Sequence, residues 1–190
     1  MGSNNGKSPF EEFVDSKSAE DKKINWNARK KLWLEKVNDL YTEIDKWFLN
    51  LKKSGKITIS KEDLTIHEEQ LGTYISQKLI IRIGGEKIVL SPVGTIIIGG
   101  YGRIDITGKA GDVMLILSHQ DYRPGVTVHV STSSQEAEEY KKKQQQERNA
   151  RPELTRENLI WLYVRRGHRL EYFPLTKSIF EEIIMAVSGS

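Results

Sequence analysis

The chain has 190 residues, 37% of them hydrophobic, which is long enough for one domain with a packed core. It contains no cysteine, so disulfides, thiol nucleophiles and cysteine-ligated zinc are excluded. A net charge of +3 is too small to indicate nucleic-acid binding by itself, and no apolar run reaches the roughly 18 residues of a membrane-spanning helix. These properties predict a cytoplasmic protein without a signal peptide.

Residues 1–23 are polar and predict a flexible N-terminal tail, except for the run "SPFEEFV". A Ser-Pro pair is a common helix start, so we predict a short helix in this run. Phe10, Phe13 and Val14 would then share one face of that helix. We interpret the face either as a segment packed on its own domain or as an anchor for another protein.

Three apolar series with seven-residue spacing follow, and they predict one long helix that starts at Trp26 and ends before Gly55. The apolar stripe covers about three-sevenths of the circumference, which is typical of a core helix. At 1.5 Å per residue the helix would be about 40 Å long, longer than most sheets are wide. We therefore expect residues 33–51 to pack on a sheet, and Trp26, Arg29 and Lys30 to meet the N-terminal tail or a second chain.

From Lys56 to Val130 the apolar period changes to two, in short β-branched runs separated by turn residues. This pattern predicts an antiparallel meander. Residues 112–118, "DVMLILS", are apolar on both faces, so we expect this strand to be buried on both sides.

The run "IGGYGR", which contains Gly99, Gly100 and Gly102, resembles a phosphate-binding loop in composition. A phosphate-binding loop opens a helix, whereas Gly102 is followed by the alternating strand pattern "RIDIT". We therefore interpret these glycines, and Gly108 with Gly111 after them, as turn residues with positive φ.

Residues 131–157 are charged and rich in amides, and they predict a solvated helix or a disordered insertion within the domain. A strand hairpin over 159–173 and a short helix over "LTKSIFEEIIMAV" follow, with Thr176 or Ser178 as the helix cap. Residues 24–190 thus form a single α+β domain by prediction: an antiparallel β-meander sheet with a long N-terminal helix and a short C-terminal helix packed on it.

Ionisable residues do not form a clear catalytic or metal-binding pattern. His67 with Glu69, and His119 with Asp121, each offer two ligands, whereas catalytic zinc takes three from the protein. No cofactor or metal is predicted. An enzyme is disfavoured but stays open as an alternative, with Asp105 and Glu69 on the wet face of the sheet.

The hairpin "WLYVRRGHRLEYF" interleaves aromatic residues with Arg165, Arg166, His168 and Arg169. Aromatic rings stack on bases and arginines pair with phosphates, so nucleic-acid binding is a second alternative. The simpler interpretation is that the aromatic side chains face the core and the arginines face water.

The run "LIIRIGGEKIVLSPVGTIIIGGYGRIDITGKAGDVMLIL" follows a Trp-rich helix and "LGTY". In its blocks of the form IG…L.P.GT.I.G..GR.D..G, the chain resembles a family of bacterial proteins to which no function is attached. The resemblance covers roughly residues 26–117 and implies a bacterial, cytosolic protein, without site residues.

The long helix, the anchor-like tail and the charged insertion exceed what a small closed domain needs. The sequence therefore predicts a module without catalytic activity that binds another protein or a second copy of itself. The predicted contact residues are Phe10, Phe13, Val14, Trp26, Arg29 and Lys30. No membrane contact is predicted.

Overall fold

A computed structural model describes residues 8 and 10 and the ranges 25–95, 100–121, 155–167 and 170–189. Helix α1 spans Trp26–Trp47 and helix α2 spans Leu49–Lys53. Seven strands follow: β1 Ile57–Glu68, β2 Gly72–Ile83, β3 Glu86–Gly94, β4 Gly102–Gly108, β5 Gly111–His119, β6 Leu159–Arg166 and β7 Leu170–Pro174. Helix α3, Lys177–Ser188, ends the described part.

The seven strands form one sheet in the order β1 to β7, and each strand pairs antiparallel with the next. The predicted α+β fold, an antiparallel meander with a long N-terminal helix and a short C-terminal one, is confirmed. Two runs predicted separately, "KITIS" and "LTIHE", form the single strand β1. The predicted strand over 126–131 and nearly all of the predicted insertion over 131–157 lie outside the described residues.

Helix α1 starts at an N-cap, because the Asn25 side chain accepts a hydrogen bond from the Ala28 amide at 3.0 Å. Its inward residues recur every three or four positions, which is one face of a helix. They are Trp33, Val37, Leu40, Tyr41 and Ile44, and all are buried. None of the described helices is long and apolar enough to cross a membrane.

The predicted long helix is interrupted at Phe48, where the backbone (φ −104°, ψ 12°) departs from α geometry between α1 and α2. The Phe48 side chain is buried against Phe180 of α3, with ring centroids 5.9 Å apart. Helix α2 still contacts strand β1, but Leu51 itself is exposed, so the expectation that the packed face extends to that residue is wrong.

Helix α3 is capped by Thr176, one of the two predicted caps, whose hydroxyl accepts from the Ile179 amide at 3.3 Å. Its buried face consists of Phe180, Ile183, Ile184 and Val187. The Val187 carbonyl accepts a hydrogen bond from the Ala110 amide in the β4–β5 turn, at 2.8 Å. The C-terminal end of α3 is therefore fixed to the sheet through its backbone.

Strand β5 is buried on both faces, as its sequence predicts. Leu115 and Leu117 belong to the core that contains the helices. Ile116 points the other way and is buried outside that core, as is Leu162 on the neighbouring strand β6. Alternating side chains of one strand can be buried on both sides only when both faces of the sheet are shielded from water.

The glycine-rich segment joins two antiparallel neighbours, β3 and β4, and Gly102 begins a strand rather than a helix. Gly99 lies outside the described residues. The expectation of positive φ is wrong for Gly102 and Gly108, because neither residue has a positive φ. A Cβ at Gly102 would overlap the Trp33 indole, and one at Gly108 would overlap the Val187 carbonyl. These two glycines permit close packing of a helix on a strand.

Candidate functional site

A buried carboxylate lies at the end of strand β1. The face of β1 that points to the core changes between Lys61 and Leu64. Leu64, Ile66 and Glu68 therefore face the core, and the pairing with β2 continues without a break. Glu68 is only 8% exposed. Burying an ionised carboxylate is costly unless hydrogen bonds replace its water, so its donors define the site.

Three donors reach the Glu68 carboxylate. The Tyr74 hydroxyl donates to Oε1 at 2.5 Å across the β1–β2 turn. The backbone amide and the hydroxyl of Thr95 donate to Oε2 at 2.8 and 3.1 Å. The preceding residue, Gly94, has φ +151°, and a Cβ there would lie 2.8 Å from Glu68 Cδ. The end of β3 can approach Glu68 this closely only because residue 94 is glycine.

Arg29 is connected to this carboxylate through Thr95. Its Nη2 donates to the Thr95 carbonyl at 2.5 Å, so Thr95 lies between the two charged side chains. Nε of Arg29 is buried without a hydrogen bond in the described structure, and the side chain as a whole is half-buried. The guanidinium is thus fixed to the backbone through Nη2.

Aromatic rings surround the two cations at the start of α1. The Arg29 Cζ lies 5.5 Å from the Trp26 ring centroid and 5.6 Å from that of Tyr101. The Lys30 Nζ lies 5.9 Å from the centroid of Tyr74. These distances fall within the range of cation–π attraction. We call the half-buried residues Trp26, Arg29, Lys30 and Tyr101 the Arg29 cluster.

Burial shifts the ionisation of the groups in and below the Arg29 cluster. Desolvation lowers the pKa of the Arg29 guanidinium, and the charges of Tyr101 and Glu68 partly oppose this effect. Desolvation raises the pKa of the Tyr74 hydroxyl, and the hydrogen bond to Glu68 raises it further. Tyr74 therefore stays a donor to Glu68 at neutral pH, and Arg29 stays a cation.

The arrangement is better suited to recognition than to proton transfer. Glu68 is already occupied by Tyr74 and Thr95, whereas Trp26, Tyr101 and Arg29 are half-exposed. Among the described residues, no group of three or more His, Asp or Glu side chains could hold a metal ion. The arrangement therefore presents a half-buried guanidinium beside two rings, connected through Thr95 to the buried hydrogen bonds of Glu68.

Of the six predicted contact residues, the structure brings together Trp26, Arg29 and Lys30. Phe10 is 72% exposed. Phe13 and Val14 lie outside the described residues. The tail's share in binding stays a prediction.

Among the described residues, those considered for a metal or catalytic site form no group of three or more, although His119 Nδ1 and Asp121 Oδ2 lie 3.8 Å apart. His67 is exposed and its Nδ1 lies 3.0 Å from the Thr73 hydroxyl. Asp105 is paired with Arg103 at 2.6 Å. His119 is buried, with its Nδ1 accepting from the Asp121 amide at 3.2 Å. His129 lies outside the described residues.

The hairpin considered for nucleic acid has an arginine that is already paired. The Arg165 guanidinium lies 2.7 Å from the Glu171 carboxylate and 4.7 Å from the centroid of the Phe173 ring. Trp161 is buried, and its ring contacts the Trp33 ring at 5.8 Å between centroids. Arg166 is exposed. His168 and Arg169 lie outside the described residues.

Sequence reasoning missed Glu68, Thr95 and Tyr101. The alternation of Leu64, Ile66 and Glu68 was a usable signal, because it places Glu68 on the apolar side of the strand. Thr95 had no such signal, since its role depends on the close approach of the β1 and β3 ends.

No protein-family model, no curated protein and no solved structure matches this chain. The resemblance to a bacterial family therefore rests on the sequence blocks alone.

Proposed function

We propose that the chain is a protein-binding module without catalytic activity of its own, and that the Arg29 cluster is its contact surface. The observation that carries the proposal is the Arg29 guanidinium in contact with two half-exposed rings, those of Trp26 and Tyr101. Tryptophan, tyrosine and arginine are the residues that dominate binding energy at protein interfaces. The partner is another protein or a second copy of the chain.

The internal contacts of Arg29 support this role. A flexible arginine loses side-chain entropy when a partner immobilises it. Here the hydrogen bond to the Thr95 carbonyl and the two rings restrict Arg29 before any partner arrives. Thr95 is itself fixed by its two hydrogen bonds to Glu68. Most of the side-chain entropy of Arg29 is therefore already lost on folding, and little remains to be lost on binding.

The test is quantitative affinity capture from lysate of the source organism, with wild type, Trp26→Ala and Tyr101→Ala as baits. Met185→Ala is the matched control, because Met185 is an exposed apolar residue on helix α3. Circular dichroism verifies that all four proteins are folded. Sedimentation of each protein alone measures self-association in the same set.

We expect one or more proteins, or the chain itself, to associate with wild type and the control. Loss of a central Trp or Tyr typically costs 2 kcal/mol or more at an interface, so recovery with either variant should fall by about thirtyfold. Equal association by all four folded proteins would contradict the proposed surface.

A further inference from the structure

The Arg29 cluster carries positive charge that no neighbouring carboxylate neutralises at ion-pair distance. Among the described residues, neither Arg29 nor Lys30 has an Asp or Glu oxygen within 4.0 Å. The first turn of α1 contains no acidic residue. Glu68 acts on Arg29 only from a greater distance, because its oxygens bind Tyr74 and Thr95.

We propose that the partner contacts the Arg29 cluster through an acidic segment, a peptide with carboxylate side chains next to apolar ones. This inference rests on the proposed function and names the chemistry of its partner. The cluster offers two cations and two rings within a single surface, so carboxylates and apolar groups are both matched.

The geometry of Arg29 fits a carboxylate in particular. Nη2 is occupied by the Thr95 carbonyl and Nε is buried, which leaves Nη1 as the nitrogen with donors that no described hydrogen bond uses. One oxygen of a carboxylate can accept a charge-assisted hydrogen bond from it. The centroids of the Trp26 and Tyr101 rings lie 5.5 and 5.6 Å from the guanidinium carbon, and these rings would offer apolar contact to the neighbouring side chains of the same peptide.

Nucleic acid is the other polyanion that a basic aromatic surface could bind, and the cluster suits it less well. Phosphate backbones carry evenly spaced charges and are gripped by rows of basic side chains. Here two cations, Arg29 and Lys30, contact aromatic rings, and the next basic residue, Lys31, lies about 200° around the helix from Arg29. Two cations beside aromatic rings match a short acidic peptide better than a row of phosphates.

The experiment measures fluorescence anisotropy with two labelled twelve-residue peptides. One carries four glutamates and two phenylalanines, and the other has glutamine in place of each glutamate. Labelled oligothymidylate is the third probe, and all are titrated with the full chain at about 50 mM NaCl, where exposed charges are weakly screened. The protein variants are Arg29→Ala, Lys30→Ala and the control Lys31→Ala.

Lys31→Ala is a matched control because it removes the same charge from the same helical turn. Lys31 is exposed and lies about 200° around the helix from Arg29. Arg29→Ala removes a hydrogen bond to the backbone and could therefore affect folding. Lys30→Ala tests the same surface without that loss, because Lys30 has a ring contact but no hydrogen bond to the backbone in the described structure. Circular dichroism is recorded for every variant.

We expect the glutamine peptide to bind at least about tenfold more weakly than the glutamate peptide, as expected when a charge-assisted bond is lost. Arg29→Ala should weaken binding of the glutamate peptide by about tenfold, and Lys30→Ala should weaken it by about threefold. The affinity of Lys31→Ala should stay within about twofold of wild type. Equal binding of the two peptides, equal effects of Arg29→Ala and Lys31→Ala, or tighter binding of oligothymidylate would overturn the inference.

The two proposals fail separately. If Trp26→Ala and Tyr101→Ala abolish association with a protein but the glutamate peptide does not bind, the protein-binding function stands and its acidic partner chemistry is refuted. If the peptide binds as expected but no protein depends on Trp26 or Tyr101, the proposed function fails.

Discussion

Gly102 is the most demanding position in the contact between α1 and the sheet. An alanine Cβ at this position would overlap the Cε3 and Cζ3 atoms of Trp33 and would lie 3.1 Å from its Cη2 atom. Carbon atoms pack at about 3.5–4.0 Å, so the indole would have to move by about 1 Å. Trp33 is 1% exposed and its ring contacts that of Trp161 at 5.8 Å between centroids, so such a movement would disturb its packing in the core. We expect Gly102→Ala to cost about 3 kcal/mol, at the upper end of overpacking penalties.

Urea unfolding monitored by circular dichroism measures this cost. Gly85→Ala is the matched control, because a Cβ at Gly85 meets no atom within 4 Å and the residue has no positive φ; its free energy of unfolding should change by less than about 0.5 kcal/mol. Trp33→Leu, which removes the obstructing ring, should make the added Gly102→Ala change much less costly. Equal stability of the two alanine variants, or additive effects in the double variant, would refute the packing argument.

Three further outcomes follow from the same contacts. Glu68→Gln replaces an acceptor with a donor beside Tyr74 and Thr95, so the free energy of unfolding in urea should fall by about 1–3 kcal/mol, and an unchanged value would contradict the assigned network. Burial raises the pKa of Tyr41 and Tyr74, so the contribution of these two groups to folding stability should be constant below the unfolded tyrosine pKa of about 10 and fall above it; absorbance titration at 295 nm should show both ionising after exposed tyrosines, and simultaneous ionisation would argue against their burial. Trp47→Ala removes a ring 5.6 Å from that of Phe180 and should cost about 2–3 kcal/mol, whereas Trp26→Ala should cost less than about 1 kcal/mol; similar losses of stability would show that Trp26 belongs to the core.

The fold could be predicted because its patterns are local. Period-two runs bounded by turn residues indicate strands wherever they occur, and the stripe containing Trp33, Val37 and Ile44 indicates a buried helix face. The break at Phe48 could not be predicted, since the apolar spacing continues through it. The Phe48 ring at the break contacts Phe180, more than a hundred residues later in the chain, and such a contact leaves no local signal in the sequence.

Only the part of the candidate site that is formed by residues close in sequence could be predicted. Trp26, Arg29 and Lys30 are close in sequence, and their composition indicates a binding surface. Glu68 and Thr95 join them only after two hairpins have formed, and Gly94 permits that approach. Residues whose partners lie in other strands leave no periodic signal in a single sequence.

The strict meander order has a consequence for the entropy of folding. Most neighbouring strands are joined by a few residues, such as the Lys109–Ala110 turn between β4 and β5, whereas β5 and β6 are separated by residues 120–158. For a flexible connection of this length, closure would cost about 2–3 kcal/mol more than for a two-residue turn, because the entropic cost grows with the logarithm of length. The His119↔Leu159 pair and the hydrogen bond from the Gln120 amide to the Asn158 carbonyl fix the two described ends. Doubling the length of a flexible connection would add only about 0.6 kcal/mol, so an insertion between these two ends should change the free energy of unfolding little.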